Sequence, residues 1–293
     1  MRTRLTAPTA EAAWVKSERQ LERERQRRRA NVRSSSLATA SSIVVLLVVA
    51  AVVLNSPGWP RVRETFFDWG QFTSAFPDVL SGFWLNVRIF LIAEVLILVL
   101  GLLVALARGV RNPLFFPVRA LAVAYTDVFR GIPTILLVYL VGFGLPALRL
   151  QGVPENPAVL GGLALVLSYG AYVAEVFRAG IDSVHPSQRA AARSLGLSTA
   201  QSLRFVVLPQ AVRRVVPPLL NDFASLQKDT ALVAVLGPLE ALRQAQIHSA
   251  ADFNYTPYLA TAMLFVALTV PMARFTDHLA ARAERRRAPG GGT

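Results

Sequence analysis

The sequence contains no cysteine and only three histidines. A disulfide framework and a thiolate metal site are excluded, because both need cysteine side chains. His185, His248 and His278 lie far apart in the sequence and do not form the HExxH spacing of a zinc site. No Ser/His/Asp arrangement is recognisable either, so the sequence predicts neither catalytic residues nor a bound metal, and an enzyme is disfavoured.

Lysine is almost absent, since Lys16 and Lys228 are the only two among 31 basic residues. Neither lies in the GxxxxGK[ST] loop with which P-loop ATPases hold nucleotide phosphates. The chain therefore cannot be its own P-loop ATPase, and we expect it to bind no cofactor. Any activity driven by ATP would need a separate protein that carries the nucleotide.

Apolar residues, in contrast, are abundant. They make up 53% of the 293 residues, and the mean hydropathy is positive, at +0.43. Such a chain is too apolar for an ordinary soluble domain and is predicted to be an all-α integral membrane protein. The net charge of +13 could suggest nucleic-acid binding, but the basic residues are distributed in a way that favours membrane topology instead.

Six apolar runs are predicted to cross a membrane, the last of them together with its flanking residues. We place them at residues 37–54, 83–106, 132–148, 158–177, 215–236 and 258–270. The predicted organisation is a basic tail (1–36), an additional N-terminal transmembrane helix (37–54), an extracytoplasmic linker (55–81), a core (82–275) and a second basic tail (276–293). Within the second run, Gly101 interrupts a bulky surface and predicts close helix packing.

The basic residues predict the orientation. Six spans put both termini on one side, and 25 of the 31 Lys and Arg residues then fall on that side, against five on the other and Lys228 inside a span. By the positive-inside rule that side is the cytoplasm. We therefore expect a multi-pass protein of the inner membrane with both termini cytoplasmic, basic tails near anionic lipid, and no nucleic-acid partner.

The segment 185–209, which we call the polar hairpin, is too polar to lie in hydrocarbon and must project into water. Ser187 is predicted to cap a first helix ending at Leu195, and Gly196 suits a turn with positive φ. Ser198 and Gln201 predict a capping box for a second helix, with Pro209 marking the next element. These local signals alone favour an ordinary helical connection between two spans over a docking surface.

This hairpin resembles the cytoplasmic EAA loop of type I permeases of ABC transporters. The matching residues are Gln188, Ala191, Ala192, Leu195, Gly196, Leu208, Pro209 and Gln210. Ala190 stands where that family usually has glutamate. The flanking stretches LNVRIFLIAEVLILVLGLLVALAR, YTDVFRGIPTILLVYL, YGAYVAEVFRAGI and PPLLNDFASLQKDTAL resemble the polar amino-acid uptake branch, so the similarity covers about Gly82 to Phe275.

The resemblance implies a permease subunit with a five-helix core, to which the first span is an addition. It implies pairing with a second permease copy, identical or related, and with a cytoplasmic ABC ATPase dimer that binds ATP and Mg²⁺. A solute-binding protein would deliver the substrate from outside. The residues it assigns to contact with the ATPase are Gln188, Ala190, Ala191, Ala192, Leu195, Gly196, Leu208 and Pro209.

Ionisable and aromatic residues within the spans are candidates for a substrate passage, because such groups usually face a cavity or a partner. These candidates are Glu94, Tyr169, Tyr172, Glu175 and Asn221. Internal pairing is the alternative for each charged group. Glu175 could pair with Arg178, and we expect Lys228, Asp222 and Asp229 to satisfy one another.

Three functions compete at this point. The first is the permease subunit of an ATP-driven importer of polar amino acids, or of another small solute, because a fold does not fix its ligand. The second is an ion-coupled secondary transporter with Glu94 as proton carrier, although no inverted repeat supports it. The third is a membrane scaffold whose basic tail binds lipid.

Overall fold

The computed structural model describes residues 17–110 and 112–285, and every regular element within these ranges is helical. The all-α prediction is thereby confirmed. The chain divides into two units, Met1–Val62 and Arg63–Thr293. The predicted tails lie partly outside the described residues, namely at 1–16 and 286–293.

The first unit contains helix α1 (Glu18–Leu54), which joins part of the predicted basic tail to the predicted first span. The amide of Ser17 donates to the Gln20 side chain at 3.2 Å and so starts the helix. Its apolar part, Leu37–Leu54, has 18 residues and exposed side chains throughout. At 1.5 Å per residue it is about 27 Å long, close to the thickness of a hydrocarbon core.

The remaining helices follow in a simple order. They are α2 (Trp59–Phe66), α3 (Trp69–Gly109), a 3₁₀ turn (Pro113–Phe115), α4 (Phe116–Gly131), α5 (Thr134–Tyr139), a π turn (Leu140–Gly144), α6 (Leu145–Ala147), α7 (Pro157–Asp182), α8 (Pro186–Ser194), α9 (Thr199–Ser202), a second π turn (Leu203–Val207), α10 (Leu208–Asp229), a second 3₁₀ segment (Thr230–Leu236), α11 (Ala241–Asp252) and α12 (Thr256–Arg285).

Helices α3 and α7 pack against each other at the centre of the second unit. Ile97 and Val173 are buried between them, together with Leu165 and with Leu226 of α10. A Cβ placed on Gly101 would lie 2.6 Å from Cγ1 of Val173, closer than real side chains approach. The predicted role of Gly101 in close packing is confirmed, since only a residue without Cβ lets the two backbones come this near.

Four helices are long and apolar enough to cross a membrane by themselves: Leu37–Leu54, Trp59–Gly109, Pro157–Asp182 and Thr256–Thr276. A fifth span is possible if Pro113–Gly131 and Thr134–Ala147, which meet at 108°, are counted together. The predicted run 215–236 is not among them, because it carries Asp222, Lys228 and Asp229. The total of six spans therefore stays a prediction.

The predicted extracytoplasmic linker, 55–81, is largely helical. It is hydrogen-bonded to the residues that immediately precede α12. It holds α2 and the first turns of α3, which Asp68 caps by accepting from the amide of Gln71 at 3.1 Å. The Thr65 carbonyl accepts from the Tyr255 amide at 2.7 Å, and the Glu64 carbonyl from the Asn254 side chain at 2.8 Å. The predicted core boundary at residue 82 therefore falls inside a continuous helix.

A buried polar network joins α3 to α11. Glu240 is completely buried and accepts from Nδ2 of Asn86 at 2.9 Å and from the amides of Leu242 and Arg243 at 3.0 and 2.6 Å. The side-chain oxygen Oδ1 of Asn86 accepts from the backbone amide of Ala241 at 3.1 Å. Burial raises the pKa of the Glu240 carboxyl, and the hydrogen bonds it accepts oppose that rise. Because each member is satisfied, the network fixes the start of α11 on α3.

We predict that Gly82→Ala destabilises the protein by separating α3 from α11. A Cβ at this position would lie 2.6 Å from the carbonyl carbon of Glu240 and 2.7 Å from the amide nitrogen of Ala241. Both are backbone atoms that cannot rotate away, so the overpacking should cost about 1–3 kcal/mol. Thermal unfolding of the purified protein in detergent measures this loss.

Gly109→Ala is the matched control, because Gly109 lies at the other end of α3 and has open space around its Cβ position. It should leave the unfolding temperature unchanged or raise it slightly, since alanine favours a helix by about 1 kcal/mol over glycine. An equal response of the two variants would contradict the close contact at Gly82.

Candidate functional site

The first helix of the polar hairpin, α8, begins two residues earlier than the predicted Ser187 cap implies. The cap is His185, whose Nδ1 accepts from the Ser187 amide at 3.2 Å and pairs with the Ser187 hydroxyl at 2.7 Å. Pro186 follows at the first helical position, where its missing N–H is harmless. The predicted Ser187 cap was therefore wrong by two residues, because the histidine nitrogen supplies the acceptor.

The turn of the hairpin matches its prediction. Gly196 has φ of +79°, and the amides of Gly196 and Leu197 donate to the carbonyls of Arg193 and Ala192 at 2.9 and 3.2 Å. This closes α8 with bonds that need a left-handed residue. Ser198 then forms the predicted capping box: its amide donates to Gln201 at 2.9 Å, and its hydroxyl accepts from the Gln201 amide at 3.2 Å.

The hairpin has one face against the protein and one face open. Ala192, Ser202 and Val207 are buried on the inner face. Leu195 is 82% exposed and Phe205 is 62% exposed. Of the residues assigned by resemblance to ATPase contact, Ala192 alone is buried; the exposed ones are Gln188, Ala190, Ala191, Leu195, Gly196, Leu208 and Pro209.

Two arginines tie the hairpin to its neighbours through backbone carbonyls. Arg189 of α8 donates from Nη2 to the Ile181 carbonyl at 2.7 Å, near the end of α7. Arg214 of α10 donates to the carbonyl of Ser183. Both acceptors lie at the junction between α7 and α8, where a helix end leaves carbonyls without intrahelical partners. The hairpin therefore follows the positions of α7 and α10.

An ion cluster is centred on Glu175, which lies in α7 two helical turns before this junction. Oε2 of Glu175 accepts from Arg108 at the end of α3 at 2.9 Å, and Arg130 at the end of α4 lies 3.9 Å away. Arg178 contacts the other carboxylate oxygen and also pairs with Asp182 at 2.6 Å. The predicted pair of Glu175 with Arg178 is confirmed, and the carboxylate links the ends of three helices.

A second polar cluster lies between α3, α7 and α10. The Tyr169 hydroxyl donates to Oδ2 of Asp229 at 2.8 Å. The carboxylates of Glu94 and Asp222 lie close enough to repel each other, and Oδ2 of Asp222 is buried without a hydrogen bond. Two of the predicted passage residues, Glu94 and Tyr169, thus come together with two aspartates.

The other passage candidates lie elsewhere. The Tyr172 hydroxyl donates to the Arg130 carbonyl at 3.2 Å, and the Arg130 guanidinium lies 5.7 Å from the centre of the Tyr172 ring. Asn221 is exposed. The expected pairing of Lys228 with Asp222 and Asp229 was wrong, since Lys228 is exposed and forms no ion pair with any residue in the described ranges.

Sequence reasoning missed the two aspartates and Arg108. The signal for Asp222 and Asp229 was their position in a predicted span, but neighbouring Lys228 offered a simpler explanation. Arg108 lies 67 residues from Glu175, so no local spacing could pair them. In contrast, Arg178 follows Glu175 by one helical turn and was predictable.

Comparison with known proteins connects this geometry to a family. Residues 97–285 match the family described as binding-protein-dependent transport system inner membrane component. The probable glutamine ABC transporter permease protein GlnM of Bacillus subtilis is 34% identical over 213 residues, which is 72% of this chain and 95% of that protein. The arginine transport system permease protein ArtQ of the same organism is 32% identical, over 66% of this chain and 87% of its own length.

Solved structures agree with the fold. A chain in the crystal structure of an amino acid ABC transporter with histidines superimposes with a TM-score of 0.67 at 30% identity, covering 73% of this chain and 98% of that one. A chain of the inward-facing MetNI methionine ABC transporter gives a TM-score of 0.57 at 19% identity, over 70% of this chain and 96% of that one. The second likeness concerns the fold alone.

We predict that Ser198→Ala loosens the second helix of the hairpin. The substitution removes the hydroxyl that accepts from the Gln201 amide, and loss of such a cap costs about 1 kcal/mol. Hydrogen exchange at the Gln201 amide should therefore become about fivefold faster. Ser194→Ala is the control, because the Ser194 hydroxyl only donates to the Ala190 carbonyl within α8. Unchanged exchange at Gln201 in Ser198→Ala would show that the cap does not hold the hairpin.

Proposed function

Because the chain belongs to the family of binding-protein-dependent transport system inner membrane components, we propose that it is the permease subunit of an ATP-binding-cassette importer for polar amino acids. The observation that carries this proposal is the polar hairpin, a capped, water-facing element that is tied to the membrane helices and presents an open face. Two relatives named for glutamine and arginine transport, and a solved relative described with histidines, support amino acids with polar side chains as the substrate class.

The energy source is a separate ATPase. The chain has no P-loop lysine, so ATP and Mg²⁺ bind to a partner, which we take to be a dimer of ABC ATPases. The family description itself makes transport depend on a binding protein, and we assign that protein to the extracytoplasmic side. A second copy of this chain, or a related permease, completes the pore.

The open face of the hairpin is the docking surface for the ATPase. Leu195 and Phe205 are apolar side chains that a solvated element would not expose without a partner, and the exposed alanines at 190 and 191 permit close approach of another backbone. The usual glutamate is replaced by Ala190. The contact therefore depends on shape and apolar packing around the Gly196 turn rather than on an acidic side chain.

Movement of the ATPases is transmitted through the arginine contacts at the hairpin's base. Arg189 and Arg214 connect α8 and α10 to the end of α7, and Glu175 connects α7 to α3. A displaced hairpin must move these helices with it, because interfaces that are packed and hydrogen-bonded move as bodies. Alternating access then follows from rocking of the spans.

The cluster of Glu94, Tyr169, Asp222 and Asp229 forms part of the substrate passage. Within the described part of the chain, none of its carboxylates has a cationic partner. Uncompensated acids inside a membrane protein are expensive unless a cation visits them. The ammonium group that every amino acid carries is such a cation.

The hairpin lies in the cytoplasm in this proposal, together with both termini. The support is the excess of Lys and Arg on that side of the predicted spans. The binding protein then approaches the opposite side, where α2, the start of α3 and α11 lie.

We predict that Gly196→Val uncouples the complex. Gly196 has φ of +79°, and a side chain in this region costs about 1–2 kcal/mol, more for a β-branched residue. The turn should therefore change shape and lose its fit to the ATPase while the chain remains inserted. We expect at least a tenfold loss of ATP-dependent uptake into vesicles.

Gly152→Val supplies the matched control. Gly152 has a similar φ of +85° and equally open surroundings, but it lies in the loop between α6 and α7. Uptake by this variant should stay near the wild-type rate. Equal uptake by Gly196→Val and wild type would remove the hairpin from the mechanism.

We also predict that Glu94→Gln changes substrate preference. The substitution keeps the size of the side chain but removes a carboxyl group that can ionise when a cation binds near Asp222, so cationic amino acids should lose more uptake than neutral ones. Competition between arginine and glutamine for uptake measures the change. Glu155→Gln, at an exposed position before α7, should leave the ratio unchanged. An unaltered ratio in Glu94→Gln would exclude Glu94 from the passage.

A further inference from the structure

A cleft of about 640 Å³ lies on the inner side of the polar hairpin, away from the face proposed for the ATPase. Its walls come from the ends of α3 and α7, the start of α4, the helices α8 and α9, and the second π turn. The residues that matter for its chemistry are Arg108, Arg119, Arg178, Arg189, Arg193 and Asp182. Five guanidinium groups thus face one small space.

Two of these arginines are already neutralised, and three are not. Arg108 and Arg178 pair with Glu175, and Arg178 also pairs with Asp182. Arg119, Arg189 and Arg193 form no ion pair with any acid in residues 17–110 and 112–285. The cleft therefore carries a positive charge that its own carboxylates do not balance.

The Arg189 guanidinium is fixed by one hydrogen bond and keeps further N–H groups that can donate to a ligand. Its Nη2 donates to the Ile181 carbonyl at 2.7 Å, which fixes the direction of the guanidinium. Its Nε is buried and has no hydrogen-bond partner in the described structure. This N–H is therefore free to donate to the oxygen of an anion in the cleft.

Two hydroxyl groups belong to the lining, and an aromatic ring lies beside one of its arginines. Thr199 and Ser202 of α9 face the cleft, and neither hydroxyl makes a hydrogen bond within the described ranges. The Arg119 guanidinium lies 5.5 Å from the centre of the Phe116 ring, which orients it without neutralising it. Several guanidinium forks with nearby hydroxyls match the oxygens of a phosphoryl group.

We propose that this cleft binds the phosphate headgroup of an anionic phospholipid from the cytoplasmic leaflet. A phospholipid is favoured over a soluble anion because the wall at Arg119 continues into an exposed apolar surface. Leu114, Phe116 and Leu121 are 80%, 58% and 72% exposed around the start of α4. Acyl chains can lie on that surface while the headgroup enters the cleft.

The location of the cleft at the cytoplasmic face rests on the orientation in the proposed function. That leaflet carries anionic lipids, and basic pockets between helices on that side are suited to their headgroups. The bound phosphate would join α4, α7 and the hairpin through one ligand. It would thereby hold the hairpin at a fixed distance from the bilayer, on the side opposite the ATPase.

The test measures lipid binding directly, so it does not depend on transport. The full complex is delipidated in detergent, and binding of phosphatidylglycerol is followed by native mass spectrometry. We expect one tightly bound phosphatidylglycerol for each copy of this chain, and far weaker binding of phosphatidylcholine. Each of Arg119→Gln, Arg189→Gln and Arg193→Gln should weaken binding about fivefold, as expected when one basic residue near lipid is lost.

Arg204→Gln is the matched control. Arg204 lies in the same hairpin, loses the same charge and is exposed, but it lies against Phe205 and does not line the cleft. Its affinity for phosphatidylglycerol should equal that of wild type. Within the described ranges, the side chains of Arg119 and Arg193 donate to no backbone carbonyl, unlike that of Arg189. These two variants therefore test the cleft even if Arg189→Gln disturbs the junction at Ile181.

Inorganic phosphate, titrated alone and in competition, distinguishes the two sources of a phosphoryl group. Phosphatidylglycerol that binds more tightly than phosphate, with the stated dependence on arginine, supports the proposal. Phosphate binding with that dependence while the lipid does not bind would make the ligand a soluble anion and overturn it. Equal lipid affinity in all four variants would overturn it as well. A complex that binds the lipid in this way but fails to import amino acids would contradict the proposed function and leave the cleft as inferred.

Discussion

The carboxylate of Glu175 is the interaction on which the functional end of the structure depends. It lies where α3, α4 and α7 end together, it contacts Arg108 and Arg178, and Arg130 is close by. Without it, three guanidinium groups would repel one another at the point where α7 enters the polar hairpin. Partial burial strengthens these contacts relative to a surface pair, so removing one partner would leave charges that the site cannot satisfy. The helix ends are therefore held together in part by charge.

Further contacts connect the Glu175 ion cluster to the hairpin on one side and to the centre of the protein on the other. Toward the hairpin, Arg189 and Arg214 fasten α8 and α10 to the last carbonyls of α7. Toward the centre of the protein, Gly101 lets α3 and α7 touch at Val173, and Glu94 and Tyr169 lie along these two helices. If the hairpin docks on an ATPase as proposed, these contacts would couple its movement to α3 and α7.

How much the sequence could predict depends on the distance between partners. The Gly196 turn and the Ser198 capping box were predictable because each hydrogen bond involved joins residues no more than five positions apart. The cap at His185 was missed because histidine is an unusual cap and serine stood beside it. The partners of Glu175 on α3 and α4 depend on how distant helices pack. Lys228, in contrast, follows Asp222 by six residues in the same helix, α10, and this is not the spacing of three or four residues at which side chains on a helix meet. The helical course of the linker was also missed, because its prolines and charges resemble those of a loop.

The central claim is that the open face of the hairpin contacts the ATPase, and the absence of cysteine allows a direct measurement. Ala190→Cys places a single thiol on that exposed face, and a short thiol-reactive photo-cross-linker attached there can be activated in the purified complex. The account predicts that the ATPase subunit is captured from this position and not from Gly152→Cys, in the loop between α6 and α7. Capture from both positions, or from neither while the complex remains assembled, would contradict it.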